Sequence, residues 1–322
     1  MNRFSVAISL PEAFEPVINE VMKPGFVEKG FDINECFYRT PLDEEQVINH
    51  LENADSAVVG RDKISRRVVE KARNLKIICV FGTGVDNIDV AAAKNRGIYV
   101  TNVPGANAIA VAELTIGLIF NCMRHITFSH EELSHGLWKL SLGSECEGKI
   151  LGIIGLGRIG KQVAKRAYYL GFEIKAFDIR HDYDFASRYN IEYIDLDLLL
   201  RISDIVTLHV PLDSSTREMI GRDQIHLMKR SSYLINTSRG EVVDEHALIE
   251  ALESNAIVGA ALDVFDKEPP RCGNRLLQHD SDRTVVTSHI GGGTIEATQR
   301  IAEVIRNNVI LVSNRKKPSF IV

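Results

Sequence analysis

Three side chains in the last third of the chain carry the groups needed to move a hydride to or from a hydroxyl-bearing carbon. His289 follows the apolar run 283–288, Arg239 follows 232–236, and Glu268 lies just beyond 256–262 and Asp263. An imidazole takes or gives a proton near neutral pH, and a carboxylate on its far nitrogen fixes the tautomer and strengthens the base. A guanidinium grips a carboxylate with two N–H groups and polarises the neighbouring carbonyl of a 2-oxo acid. Asp263 stands where a nicotinamide amide would be bound. Singly, each has a plain reading: a turn histidine, a solvated arginine, a Glu-Pro helix stop. Together, at strand ends where open parallel sheets gather their ligands, they point to acid/base work beside a carboxylate grip. A further strand end, residues 81–87, holds Thr83 between Gly82 and Gly84, leaving N–H groups open to a small anion.

Such chemistry needs a cofactor, and residues 149–160 supply the stretch for one. The β-branched run 150–154 reads as a buried strand, and Gly155, Gly157 and Gly160 follow in G-x-G-x-x-G spacing. The first glycine permits a tight turn, the second lets backbone approach a pyrophosphate, and the third lets helix and strand pack closely. A helix over 161–170 and a strand over 172–177 then lead to Asp178, eighteen residues past Gly160. A carboxylate there accepts from the adenosine ribose hydroxyls and repels a 2′-phosphate, which favours NAD over NADP; Arg180 blunts that preference.

The elements that position these residues alternate in kind. Strands are expected at 6–10, 57–59, 76–80 and 98–101, with helices at 44–53, 65–74 and 90–95 between them. Later strands fall at 205–210, 232–236, 256–262 and 283–288, with a helix at 245–253. This alternation predicts an α/β chain with a Rossmann-type doubly wound parallel sheet preceded by another α/β unit. The helix 106–120 is apolar almost all round, so it must be buried on most sides, between domains or against a second subunit. His125, His130 and His135 lie in two polar turns; spaced by five they share no helical face, so a metal site is not expected. A last helix spans 294–313.

At 322 residues the chain exceeds one ordinary core, and 45% hydrophobic with 25% charged residues is a globular composition. The net charge of −5 gives no case for nucleic acid, and no apolar run reaches membrane-spanning length. No signal peptide is evident, and five scattered cysteines without a C-x-x-C pair fit a reducing cytoplasm.

The runs 81–89, 102–107, 111–113, 152–160, 209–212, 236–240, 263–265 with Glu268-Pro269, and 288–292 jointly resemble the D-isomer-specific 2-hydroxyacid dehydrogenase family. That resemblance implies a flavodoxin-like substrate domain of residues 1–103 and 292–322, with an NAD-binding domain, 104–291, inserted in it. It implies Arg239 on the substrate carboxylate, Glu268 orienting His289, and His289 as acid/base. Backbone around Thr83 and Gly84 would help to hold the carboxylate. The cofactor would meet Gly155, Gly157, Arg158, Ile159, Gly160, Asp178, His209, Val210, Pro211, Thr237, Asp263 and Gly291. Homodimers through the cofactor domain are usual in the family, which would account for the helix 106–120. Formate is disfavoured, because relatives acting on it have Gln in place of Glu268.

Within the family the likeness is to phosphoglycerate dehydrogenases, which makes 3-phosphoglycerate/3-phosphohydroxypyruvate the expected pair. Arg61, Lys63, Arg66 and Arg67 offer cations for a phosphate, with Arg61 the preferred one and the rest read as a solvated helix start. Serine feedback through a C-terminal regulatory domain is not expected. A glyoxylate or hydroxypyruvate reductase is the second reading, and an NAD(H)-sensing interaction protein is one from another class.

Overall fold

Short β-branched runs bounded by polar turns form parallel strands throughout the chain. The computed structural model describes residues 3–278 and 282–322. It divides into two units, Met1–Asn107 with Gly292–Val322, and Ala108–Gly291.

The first unit holds β1 (Ser5–Pro11), β2 (Asp32–Tyr38), β3 (Ser56–Val59), β4 (Ile77–Val80) and β5 (Tyr99–Thr101), in the order β2-β1-β3-β4-β5. All its pairings are parallel. Every residue of β3 and β4 is buried, since helices cover both faces and polar alternation has no place. Side chains of β1 part by the two-residue period: Ala7 joins the core under the helices Glu44–Leu51 and Arg66–Lys71, while Val6, Ile8 and Leu10 face Phe26, Ile301, Ile305 and Val309. The helix Ile295–Ser313 thus returns the chain's last segment to its first sheet. Sequence pattern does not reveal β2, because on this edge strand only Tyr38 is fully buried, the apolar and polar residues do not alternate cleanly, and the strand is held by its backbone ladder to β1.

The second unit holds β6 (Ile150–Ile154), β7 (Glu173–Phe177), β8 (Ile191–Tyr193), β9 (Ile205–Leu208), β10 (Tyr233–Asn236), β11 (Gly259–Leu262) and β12 (Thr284–Val286). Their order is β12-β11-β10-β9-β6-β7-β8, all parallel. Strand order reverses between β6 and β9, so a crevice opens at their carboxyl ends. This is the doubly wound sheet expected from the alternation.

The helix expected at 106–120 spans Ala108–Arg124 and buries Ala112, Leu118, Ile119 and Met123 in the core of its own unit. Much of its apolar surface is therefore covered within the chain. The polar turns expected around His130 form instead a helix, Ile126–Ser134, set off from the preceding one by His125 at φ 52°. The left-handed residue breaks the first helix and bends the pair by 60°. Among the described residues no single helix is long and apolar enough to cross a membrane.

Candidate active site

The glycine turn after β6 is shaped by what lies under it. Gly155 has φ 93°, and a Cβ there would lie 2.7 Å from the His209 carbonyl oxygen. A Cβ on Gly160 would lie 2.1 Å from the Gly155 oxygen, whereas one on Gly157 would meet nothing within 4 Å. Two of the glycines therefore allow packing, and the third leaves a cradle above the helix Arg158–Tyr169. Gly157 caps that helix without a side-chain bond, so its first-turn N–H groups face the cradle at the positive end of the helix dipole. Arg158 there is exposed and Ile159 half-buried. A space of this kind fits a pyrophosphate.

Asp178, at the end of β7, accepts from the Leu156 amide (2.6 Å) with one carboxylate oxygen and from the Arg180 amide (2.8 Å) with the other. The acid thereby ties the second strand to the glycine turn. At the end of β9, His209 pairs Nε2 with the Thr207 hydroxyl at 3.0 Å, while its Nδ1 is buried without a partner. Burial pushes this imidazole down to about 3, so it is neutral. Val210 packs beside Gly155 and Pro211 is exposed. Thr237, after β10, is buried and bonded at 3.0 Å to Thr115, whose own hydroxyl donates to the Val111 carbonyl; Thr237 is thus the donor.

The three acid/base and grip candidates stand beyond the carboxyl ends of successive strands. After β10, Asn236 donates to the Arg239 carbonyl (2.8 Å) and accepts from the Ser238 amide (3.0 Å), closing a turn that presents Arg239. Beyond β11, Glu268 accepts from the Phe265 amide at 3.2 Å with one oxygen and meets His289 Nδ1 at 2.6 Å with the other. Both side chains are partly screened from water, His289 at 31% and Glu268 at 22% exposure.

His289 itself sits at φ 56°, a left-handed conformation unfavourable to a residue with a Cβ. The residues on either side of it are tied to Asp263. Its carboxylate, 1% exposed, accepts from the Thr287 hydroxyl (2.6 Å) and from the amides of Ile290 and Gly291 (2.8 Å each). Asp263 and Gly291, expected at the cofactor, are therefore bonded to each other around the histidine. Thr287 and Asn236 were not among the sequence-derived candidates. Their partners lie on other strands or turns, and only an Asx-turn pattern at Asn236 hinted at either.

In the first unit, Thr83 donates to Asn107 Oδ1 (3.2 Å) and the Val103 carbonyl, and its own carbonyl accepts from Asn102. Gly84 is half-buried in the same loop, and Arg61 is exposed after β3. Arg66 pairs with Asp89 at 3.7 Å and Arg67 with Glu44 and Glu45. No group of metal-ligating side chains occurs among the described residues.

The sequence profile of the D-isomer specific 2-hydroxyacid dehydrogenase NAD binding domain matches residues 116–291, more than half of the chain. The chain belongs to the D-isomer specific 2-hydroxyacid dehydrogenase family. A glyoxylate reductase of Thermofilum pendens is 40% identical over 290 residues, 88% of this chain and 85% of the relative. A D-3-phosphoglycerate dehydrogenase of Methanocaldococcus jannaschii is 42% identical over 282 residues, 86% of this chain but 53% of the relative. Among solved structures, D-lactate dehydrogenase from Aquifex aeolicus complexed with NAD and lactic acid superposes with a TM-score of 0.83 at 28% identity, covering 96% of each chain. This member of the family is an NAD-dependent oxidoreductase acting on the CH–OH group of D-2-hydroxy acids.

Proposed function

We propose that this dehydrogenase acts on 3-phosphoglycerate and 3-phosphohydroxypyruvate, with Ala108–Gly291 as its cofactor domain and the remainder as its substrate domain. NAD, when bound, accepts or returns the hydride. His289 takes the substrate hydroxyl proton at Nε2 as the alcohol is oxidised and returns it in the reverse direction. Glu268 stabilises the imidazolium so formed through the 2.6 Å bond. Arg239 holds the carboxylate and polarises the carbonyl, with Thr83 and Gly84 assisting from the substrate domain. Gly155, Gly157, Gly160, Arg158 and Ile159 form the pyrophosphate cradle, His209, Val210, Pro211 and Thr237 line the cofactor's path, and Asp178 takes the ribose hydroxyls.

The observation that carries the phosphorylated substrate is the placement of Arg61, an exposed cation just after β3 on a loop whose main chain is bonded on both sides of it. The likeness to a phosphoglycerate dehydrogenase supports it. The glyoxylate or hydroxypyruvate reductase reading is favoured by a different fact, the match along 85% of a glyoxylate reductase. Steady-state turnover on phosphorylated and unphosphorylated hydroxypyruvate with both cofactors separates the two. The phosphorylated acid should win with NADH, and Arg61→Ala should raise its KM by about 10- to 100-fold, the worth of a charged hydrogen bond. Equal or better use of the unphosphorylated acid overturns the reading, and a preference for NADPH removes Asp178 from the ribose.

We further propose a homodimer through the cofactor domain. Residues 135–149 form an irregular strap on which Trp138, Leu140 and Leu142 are 92%, 86% and 87% exposed. Apolar surface of this kind asks for cover by a second copy. Sedimentation of a triple Ser variant at these positions should show monomer; an unchanged dimer overturns the assignment. A reducing cytoplasm is the location we propose, in keeping with five unpaired thiols.

A further inference from the structure

Asp62 is a carboxylate with 0% exposure that no part of the reaction uses. Burying such a group is costly unless its oxygens are bonded, and burial does hold its carboxyl above the ordinary aspartate range. The bonds come from two distant segments. Ser9 Oγ, near the end of β1, donates at 2.6 Å, and the Leu42 amide, in the loop after β2, donates at 2.9 Å. Asp62 thus braces the β3 loop against the end of β1 and the loop after β2, at the carboxyl edge of one sheet.

The segment so braced is Gly60-Arg61-Asp62, and its main chain is fixed on both sides of the arginine. The Gly60 amide donates to the Ser9 carbonyl at 3.0 Å, and the Arg61 amide donates to the Tyr38 hydroxyl at 3.0 Å. Asn87 Nδ2 donates to the carbonyls of Gly60 (3.1 Å) and Asp62 (2.8 Å). A Cβ on Gly60 would come within 2.8 Å of the Tyr38 hydroxyl, so the loop is also closely packed. An arginine leaving from such a backbone keeps a set origin, and its grip loses less freedom on binding than one on a loose loop.

We propose that Asp62 is a positioning residue for substrate specificity: it anchors the Arg61 loop so that the guanidinium is preset for the phosphate of a phosphorylated 2-oxo acid. The inference rests on the reading of Arg61 given above. Asp62 touches no substrate, and its effect runs through the loop, aided by Tyr38 and Asn87.

The test is steady-state kinetics of the purified full chain on phosphohydroxypyruvate and on hydroxypyruvate, for wild type, Asp62→Asn, Tyr38→Phe and Arg61→Ala. Asp62→Asn should raise KM for the phosphorylated acid about tenfold, a displacement effect on one anchoring group, with kcat, KM for hydroxypyruvate and the Kd of NADH little changed. Tyr38→Phe should move the same KM in the same direction by a smaller factor, and it decides the matter if Asp62→Asn does not fold. A general loss of packing would move both substrates or kcat alike, and that result overturns the proposal. If Arg61→Ala raises the phosphorylated KM while Asp62→Asn and Tyr38→Phe do not, the positioning role falls and the Arg61 reading stands. If Arg61→Ala has no effect either, both fall.

Discussion

Asp263 and Asp62 are both buried carboxylates beside a residue to which we assign a chemical task, yet they hold its loop differently. Asp263 accepts from the main chain of the very loop that carries His289, at Ile290 and Gly291, next to the histidine's left-handed backbone. Asp62 reaches away from Arg61 to Ser9 and Leu42, and braces the loop from beneath. A proton-transfer group must be held to within a fraction of an ångström, which demands direct control of its backbone. A long guanidinium seeking an anion tolerates more latitude, and a fixed starting point suffices.

The comparison can be broken most forcefully at Asp263. Asp263→Asn removes one acceptor from the three donors, and kcat should fall roughly 100-fold, approaching His289→Ala, whose loss should be roughly 1000-fold. A fluorescence titration with NADH accompanies the kinetics. An unmoved Kd assigns Asp263 to the histidine loop, whereas weakened binding with preserved kcat would return it to the nicotinamide amide. Next in size is the tenfold, substrate-selective KM change expected of Asp62→Asn. Equal, general losses in both variants would erase the distinction.

The smallest effect concerns stability against pH. Burial raises the Asp62 pKa above its ordinary 3.8, so the folded state binds that proton more tightly than the unfolded chain. Its contribution is present in full below the unfolded value and is lost as pH rises through the raised one. The urea midpoint of wild type should therefore gain on that of Asp62→Asn as pH falls from about 7 to about 4. A difference independent of pH would mean that Asp62 titrates alike in both states.

Much of this architecture is written locally. The strands β1, β3, β4, β6, β9 and β10 and the helices Val90–Asn95 and Glu245–Glu253 come through because runs of β-branched residues and helical periodicity reflect burial by their own neighbours. The edge strand β2 and the helix Ile126–Ser134 escape, since an exposed ladder and a mostly exposed helix leave no such pattern. As candidates, Arg239, Glu268, His289 and the three glycines stand out from residue type and strand-end position. Asp263 is also visible as a residue worth noting, but its bonds to Ile290 and Gly291 are not, because sequence carries no record of which amides a carboxylate will meet. Asp62 is hidden for the same reason: an Asp between Arg61 and Lys63 reads as one more surface charge until folding buries it.

The sequence by itself determined the family to which the chain belongs and the candidate groups for its chemistry: a glycine turn at Gly155, an acid/base candidate at His289 and a carboxylate-grip candidate at Arg239. Those features are local in type and spacing, and each strand end can be found from the run before it. Only the tertiary structure decided which groups are joined: Glu268 to His289 across 21 residues, Asp263 to Gly291 across 28, Asp62 to Ser9 across 53. Parallel strands put residues distant in sequence side by side, and the burial that follows makes each bond between them necessary.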